Sequence, residues 1–475
     1  MKNDLISIDS SNTDYNKWVV IIVNVAVSFI AGIVCLLDSD VPQCYRYLFI
    51  LPFAHALVCL LTLRLSLKGL YRYDLPILIV LLLFTVRNAV TPMVMAIDIY
   101  ESRLGLPSNG SDVLVGEFLY IYETAVVLLV AALWHTRKNK VRLFDRKIKD
   151  NTLFMIALFG GIAVSTLSFV ILPELRTQYY SIFDNFSNVV KEEVEYSGGI
   201  KRAISTASEM IFEATRLTVC TAVMVFLRKR GETTINYLLS IAIIIVNFLL
   251  MNDSNAYVIM LVLALCFTLY RLYPNYAKRT VRIGAIAGIA FFVLIYINRF
   301  SQGVYSDSLS VFLQAYFPGV GNFAGIGKIS NRTMFDAAEQ ILIDLYSAVP
   351  FRTTLFGYDG GLDSLSTIWN AVNGVEGQIL PNVAQSYYYF GYLFSPLLSV
   401  LVVIIAIVAF DRAKETENPY MYSVLIYLMI FSAATIPMYN FLIITRTLAT
   451  RVAFMALFAC FSPEKFDNIL TSNRR

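Results

Sequence analysis

Residues 204–230, ISTASEMIFEATRLTVCTAVMVFLRKR, hold two carboxylates and a guanidinium within an apolar run. Glu209, Glu213 and Arg216 are spaced i, i+4 and i+7, which places them on one face of a helix. Arg216 precedes Arg228 by about 18 Å at 1.5 Å per residue, so it lies beyond the middle of a hydrocarbon core about 30 Å thick. Charges at that depth are costly, and they mark either a binding site or a buried pair.

Five more charged residues lie in apolar runs toward the same predicted side of the membrane: Arg87, Glu117, Glu123, Arg446 and Arg451. Guanidinium groups bind phosphate through bidentate, charge-assisted hydrogen bonds. Several of them in one outward-facing cavity therefore favour a lipid pyrophosphate as the ligand. Simpler interpretations stay open: Glu117 is interfacial, Arg446 extends to the lipid headgroups, or the carboxylates of the 204–230 run only pair with Arg216.

The elements that must position these charges are membrane-spanning helices. The chain has 475 residues, 57% of them hydrophobic and 15% charged, whereas soluble domains are about 45–50% apolar and about 25% charged. Apolar runs close to the length of a spanning helix recur about twelve times. They cover about 18–37, 47–63, 75–97, 113–133, 152–171, 204–227, 236–251, 256–270, 283–297, 389–409, 420–436 and 443–461.

Basic residues concentrate in four loops, at 64–74, 137–149, 228–230 and 271–282. The positive-inside rule puts these loops and both termini in the cytoplasm. We therefore predict an all-α polytopic integral membrane protein of about 12 transmembrane helices with one large folded external loop. Its predicted parts are a cytoplasmic tail (1–17), transmembrane helices 1–9 (18–297), an external, periplasmic loop (298–388), transmembrane helices 10–12 (389–461) and a cytoplasmic tail (462–475).

The predicted external loop contains further charged residues. FDAAEQILIDLYSAV (335–349) has the pattern of an amphipathic helix. Arg299 follows the ninth apolar run, and SAVPFRTTLFGYDGGLDS contains Arg352, Asp359 and Asp363. A carboxylate beside flexible backbone suits a general base or a ligand for a sugar hydroxyl. The alternative is a turn in which Asp and Gly residues only form the bend.

Residues 380–396, LPNVAQSYYYFGYLFSP, crowd phenols at the start of the tenth apolar run. Tyr favours the membrane interface, so an aromatic belt is one interpretation. The other is a glycan-binding rim formed by Gln385, Tyr387, Tyr388 and Tyr389, whose rings stack on sugars while their polar groups form hydrogen bonds.

Several kinds of chemistry have no motif in this chain. The sequence has no Walker loop, no G-x-G-x-x-G after a strand and no H-E-x-x-H. His55 and His135 have no neighbouring metal ligands, and the six cysteines imply no disulfide framework. We expect no metal, no other cofactor and no nucleic-acid partner, and we do not expect a nucleotide-driven pump.

The whole arrangement resembles the Wzy-type polymerases of O-antigen and capsular repeat units. The similar features are RNAVTP (87–92) in an early helix, PFR (350–352) in a large external loop, and the 380–396 stretch. In that stretch the matching residues are Pro381, Tyr387, Tyr389, Phe390 and Gly391. Gln385 stands where the family often has Glu, so no carboxylate role passes to it, and Phe351 separates Pro350 from Arg352.

The resemblance implies an enzyme with the GT-C type of membrane glycosyltransferase architecture in a bacterial cytoplasmic (inner) membrane. It would transfer a glycan from an undecaprenyl-pyrophosphate donor to a second lipid-linked repeat unit at the outer face. A flippase and a chain-length regulator are the implied partners, besides the glycan substrates and membrane lipid. For such a reaction, the predicted pyrophosphate ligands are Arg216, Arg87, Arg352, Arg299, Arg446 and Arg451, and the predicted catalytic carboxylates are Glu213, Asp359 and Asp363.

Three other functions stay open. A lipid-linked oligosaccharide flippase or other polytopic transporter also has about twelve spans, although transporters commonly carry internal repeats and the halves of this chain do not correspond. A glycosyltransferase that uses a lipid-monophosphate sugar usually has an acidic pair in its first external loop, and Asp38 and Asp40 occupy that place. A ligase that moves a finished glycan would look similar.

Overall fold

The computed structural model describes residues 10–67, 74–102, 104–107, 109–134, 152–172, 179–181, 199–252, 255–276, 279–280, 282–284, 308–329, 333–351, 363–375 and 377–462. These residues are almost entirely helical where they are regular. Beside the helices, β1 (Tyr179–Ser181) and β2 (Leu250–Asn252) pair antiparallel over three residues each. The predicted all-α class is therefore confirmed.

The described helices follow one another along the chain. They are α1 (Ser10–Leu37), α2 (Ile50–Leu67), α3 (Leu75–Ile97), α4 (Gly110–Leu133), α5 (Thr152–Ile171), α6 (Gly199–Lys229), α7 (Thr234–Leu249), α8 (Asn255–Leu272), α9 (Leu309–Tyr316), α10 (Val320–Ala324), α11 (Met334–Ala348), α12 (Leu365–Asn373), α13 (Asn382–Phe390), α14 (Leu397–Glu415), α15 (Pro419–Thr435) and α16 (Phe441–Cys460).

Within the described residues, seven helices are long and apolar enough to cross a membrane, namely α1 to α6 and α16. Shorter apolar helices occur at Thr234–Asn247, Ala256–Leu272 and Pro419–Thr435. The chain is thus a membrane protein by the length and composition of its helices. The count of about twelve spans stays a prediction, and nearly all of the run at 283–297 lies outside the described residues.

The predicted run at 389–409 is interrupted in the structure. The helix α13 ends at Phe390 and α14 begins at Leu397. Gly391 lies between them with φ +75°, a backbone conformation that favours glycine over residues with a Cβ. The aromatic stretch therefore forms a short separate helix rather than the first turns of a long one.

Two apolar helices contain a π-helical turn beside a predicted arginine. In α3 the turn covers Val86–Val90 and in α16 it covers Leu448–Val452. Pro92 has no N–H to donate, and the Thr91 hydroxyl donates to the Val86 carbonyl at 3.0 Å across the widened turn. Such bulges change the direction of the side chains that follow them and are frequent at functional sites.

The described helices of the predicted external loop pack on one end of α3 and α4. Trp369 and Phe323 are fully buried in a core with Tyr120, whose hydroxyl donates to the Pro318 carbonyl at 2.8 Å. The predicted amphipathic helix is present as α11. It begins with a capping box in which Asp336 accepts from the Thr333 N–H at 2.7 Å, and this hydrogen bond lowers the pKa of Asp336.

The basic loops meet at other helix ends. Arg228 Nε donates to the Leu272 carbonyl at 2.7 Å, and Arg271 Nη1 donates to the Ala413 carbonyl at 2.7 Å. Lys414 Nζ lies 3.7 Å from the Asp74 carboxylate. Between these ends, the outward faces of the helices are apolar, as expected of surfaces that contact lipid.

Candidate ligand site in the membrane-spanning helices

Two of the three predicted charged residues on α6 are buried inside the helix bundle. Arg216 and Glu213 are both almost fully buried, with Arg216 Nη1 3.7 Å from Glu213 Oε1. One helical turn separates them, which is why the spacing in the sequence was sufficient to bring them together.

Asn247 of α7 holds the Arg216 guanidinium in place. Arg216 Nε donates to Asn247 Oδ1 at 2.7 Å, and Nη2 donates to the Asn247 carbonyl at 2.5 Å. The Asn247 amide in turn contacts Cys220 Sγ at 2.8 Å. Sequence reasoning missed Asn247, although a single amide in the apolar run IAIIIVNFLL was a usable signal.

Arg451 of α16 reaches the same charged face. Its Nη2 donates to Glu209 Oε1 at 2.8 Å, and its guanidinium lies over the Tyr257 ring, 4.1 Å from the centroid. It also interacts electrostatically with Glu213. Glu209, Glu213, Arg216 and Arg451 therefore form one group of two cations and two anions, which we call the four-charge cluster.

A cavity adjoins this cluster. It has a volume of about 690 Å³, lies between α5, α6 and α7, and is lined by Arg216 and Asn247 at its polar part. We call it the α6–α7 groove. Its volume falls within the range of small-molecule sites, roughly 300–1,000 Å³.

Arg87 lies in a different buried network. It is 1% exposed, and its Nη2 donates to Glu123 Oε2 at 2.6 Å while Glu123 is 0% exposed. Arg87 Nε donates to Asn88 Oδ1 at 3.1 Å, and the guanidinium lies 4.2 Å from the centroid of Tyr120. The structure thus makes this arginine one member of a closed ion pair rather than a neighbour of Arg216.

The network around Glu123 connects four elements. The Ser399 hydroxyl of α14 donates to Glu123 Oε1, and the Asn382 amide of α13 donates to Ser399 at 2.7 Å. The Asn88 amide donates to the Thr124 hydroxyl at 2.9 Å. These contacts attach the external helices to α3 and α4, so the pair has a structural role.

The predicted glycan rim is mostly buried. Gln385 is fully buried, its amide donates to Asp344 Oδ2 at 2.9 Å, and its carbonyl accepts from the Phe441 N–H at 2.8 Å. The Tyr389 hydroxyl also donates to Asp344 Oδ2. Tyr388 is buried, whereas Tyr387 is half-buried and packs on aromatic rings. Gln385 and Tyr389 therefore join α11, α13 and the start of α16.

The remaining predicted residues do not enter the four-charge cluster. Arg446 is exposed, and Asp363 is exposed with its carbonyl accepting from Gln340 at 3.0 Å. Glu117 is 1% exposed, and neither of its carboxylate oxygens has a hydrogen-bond partner in the described part of the chain. The predicted residues Arg299, Arg352 and Asp359 lie outside the described residues.

The acidic pair of the first loop is engaged locally. Asp38 Oδ2 accepts from the Tyr100 hydroxyl at 2.7 Å, and Asp38 Oδ1 accepts from the Asp40 N–H at 3.0 Å. Burial raises the pKa of Tyr100, and the hydrogen bond to Asp38 raises it further. Across the described residues, no three His, Cys, Asp or Glu side chains converge to hold a metal ion.

No known protein family, characterised protein or solved structure matches this chain.

Proposed function

We propose that this protein is a membrane glycosyltransferase that polymerises undecaprenyl-pyrophosphate-linked oligosaccharide repeat units into O-antigen or capsular polysaccharide. The observation that supports it is the four-charge cluster, in which two arginines and two carboxylates from α6 and α16 meet beside an apolar groove. Arginine binds pyrophosphate, a carboxylate can accept the proton of a sugar hydroxyl, and an apolar groove suits a lipid.

The proposed reaction uses these side chains directly. The hydroxyl oxygen of the acceptor glycan attacks the anomeric carbon of the donor, the bond from that carbon to the pyrophosphate oxygen breaks, and Glu213 takes the hydroxyl proton. Negative charge accumulates on the departing pyrophosphate. Arg216 and Arg451 stabilise that charge, because they are fixed by Asn247 and Tyr257 in a site of low polarity.

The resting cluster has no net charge, so the donor has to take the place of a carboxylate. Glu209 is the more exposed of the two acids, with 27% of its side chain accessible. We propose that the pyrophosphate displaces Glu209 from Arg451. Arg299 and Arg352 are further proposed ligands from the external loop.

The proposal includes an orientation in the membrane. We propose about twelve spans with GT-C-like architecture in a bacterial cytoplasmic membrane, cytoplasmic termini and the cluster in the outer half. Two sets of contacts support this. The external helices meet the start of α16 through Gln385 and Phe441. The basic loops at 228–230 and 271–282 meet through Arg228, and Arg271 attaches the second of them to the end of α14.

The test is reconstitution in proteoliposomes with a synthetic undecaprenyl-pyrophosphate repeat unit and no nucleotide. We expect a ladder of glycan lengths from the unaltered protein, and loss of the ladder in Arg216→Ala and Arg451→Ala. Arg412→Ala is the control, because Arg412 is 73% exposed in its side chain and remote in sequence from the cluster.

Two results would contradict the proposal. A full ladder from both cluster variants would show that the four-charge cluster is not the site. Movement of the lipid-linked unit across the bilayer without any lengthening would favour the flippase instead.

A further inference from the structure

The α6–α7 groove has a polar end and an apolar end. Arg216 lies 13 residues before Lys229, where α6 ends, and Asn247 lies 13 residues after Thr234, where α7 begins. The two residues are therefore equally far from the link that joins the helices. The apolar lining continues from them toward the link. On α6 and α7 it includes Val219, Val223, Leu227, Leu239, Ala242, Ile243 and Val246.

The length of the groove matches one leaflet. Leu227 follows Arg216 by about 16 Å of helix at 1.5 Å per residue, which is close to half of a hydrocarbon core about 30 Å thick. The lining residues Val223 and Val246 are partly exposed, Val246 by 66%. The groove therefore opens sideways to the lipid, and a ligand can enter it from the bilayer.

The polar end contains two hydroxyl groups that have no hydrogen-bond partner in the described part of the chain. They are Ser165 Oγ of α5 and Thr215 Oγ1 of α6, and both residues are buried. Buried hydroxyl groups without partners are rare in folded proteins. Both line the groove next to Arg216, its one charged lining residue in the described chain.

We propose that the α6–α7 groove binds one isoprenoid chain of a polyprenyl phosphate. The phosphate lies at Arg216 and accepts hydrogen bonds from Ser165 and Thr215, and the chain runs toward Leu227. This inference rests on the proposed function, and it deepens that function by assigning a binding site to the donor lipid.

The lining favours one chain over the two chains of a phospholipid. It comes from a single stripe of α6, repeating every three or four residues, and a single stripe of α7, with α5 closing only the polar end. A groove between two neighbouring helices is wide enough for one isoprenoid chain. A second acyl chain would have to remain in the bilayer.

The polar end is tested by binding alone, with no turnover. The purified full chain in detergent is photolabelled with diazirine-bearing undecaprenyl phosphate. Thr215→Val removes a hydroxyl at constant shape, and we expect it to weaken labelling about tenfold, the value of one hydrogen bond to a charged group. Thr218→Val is the matched control, since that hydroxyl is buried on α6 but donates to the Ala214 carbonyl.

The apolar end is tested with Ala242→Trp, which fills the groove from α7. We expect at least about tenfold weaker labelling, equal to roughly two methylene groups kept out of the groove. Ile245→Trp is the control on the same helix, at a lipid-exposed residue that does not line the groove. Because residue 242 is exposed as well, a tryptophan there leaves the fold intact, and the thermal midpoint checks it.

Three outcomes would overturn the inference: undiminished labelling in Ala242→Trp, undiminished labelling in Thr215→Val, or equal competition by phosphatidylglycerol, which would make the groove a general phospholipid site. Failure of the proposed function looks different. If undecaprenyl phosphate labels the groove as expected but no glycan ladder forms, the groove is a lipid-binding site and the polymerase proposal fails.

Discussion

The buried ion pair of Arg87 and Glu123 gives a sharp test of how α3 packs against α4, because each charge has the other as its buried partner. Removing one member leaves the other charge buried without its partner. Arg87 is 1% exposed and Glu123 is 0% exposed, so the expected cost of Arg87→Met is about 3–5 kcal/mol of unfolding free energy. Loss of the contact with the Tyr120 ring accounts for up to about 2 kcal/mol of it.

The double variant separates this cost from lost packing. In Arg87→Met combined with Glu123→Gln, no charge remains buried, and the Gln oxygen still accepts from Ser399. We therefore expect the double variant to be at least about 1–2 kcal/mol more stable than the sum of the single variants predicts.

The assay is equilibrium denaturation of the purified protein in mixed micelles, followed by tryptophan fluorescence. The control pair is Arg412 and Glu415, which are 3.7 Å apart with side chains 73% and 40% exposed. Breaking it should cost about 0–1 kcal/mol. If Arg87→Met costs no more than Arg412→Met, or if the double variant shows simple additivity, Arg87 and Glu123 do not compensate each other as buried charges.

The other predictions concern three further places. Gln385→Glu puts a second carboxylate beside Asp344, whose Oδ2 lies 2.9 Å from the Gln385 amide. We expect a lower thermal midpoint at pH 8 that partly recovers at pH 5, because protonation removes the repulsion between the two carboxylates. A thermal midpoint that does not depend on pH would contradict this. Glu117→Gln should preserve or raise the thermal midpoint, since the carboxylate has no hydrogen-bond partner among described atoms; a large decrease would reveal one. Gly161→Ala should lower the free energy of unfolding by about 1–3 kcal/mol, because the added Cβ would lie 2.5 Å from a threonine hydroxyl of α6. Gly160→Ala is the control in the same denaturation assay: its Cβ would meet open space, so it should be neutral or stabilising. Equal effects of the two substitutions would contradict that packing.

Some of the site could be predicted because its residues share one helix. The spacing of Glu209, Glu213 and Arg216 fixes their common face whatever else the chain does. Arg451 was predicted as a charge within an apolar run, and in the structure 12% of its side chain is exposed. The pairing of Arg451 with Glu209 could not be predicted from the sequence, because this contact depends on how α16 packs against α6 and on the π-helical turn that contains Arg451.

Other predicted roles depended on partners that are distant in sequence. Arg87 and Glu123 are 36 residues apart, and a charge pattern alone does not show whether two buried groups face each other or a ligand. Asp344 of α11 is 41 residues from Gln385, so the polar stretch before the tenth apolar run could be interpreted as a glycan rim. Packing turns most of that rim inward.

The sequence by itself determined the class of the molecule: its solvent is lipid, its elements are helices, and charged side chains are buried at cost within them. These properties follow from local composition and from the 3.6-residue period of a helix. The tertiary structure alone decided which charges meet, that Asn247 orients Arg216, and that a groove with a polar end opens beside them. Those outcomes depend on helix–helix packing, in which residues far apart in the chain become neighbours and small shifts in register decide which atoms touch.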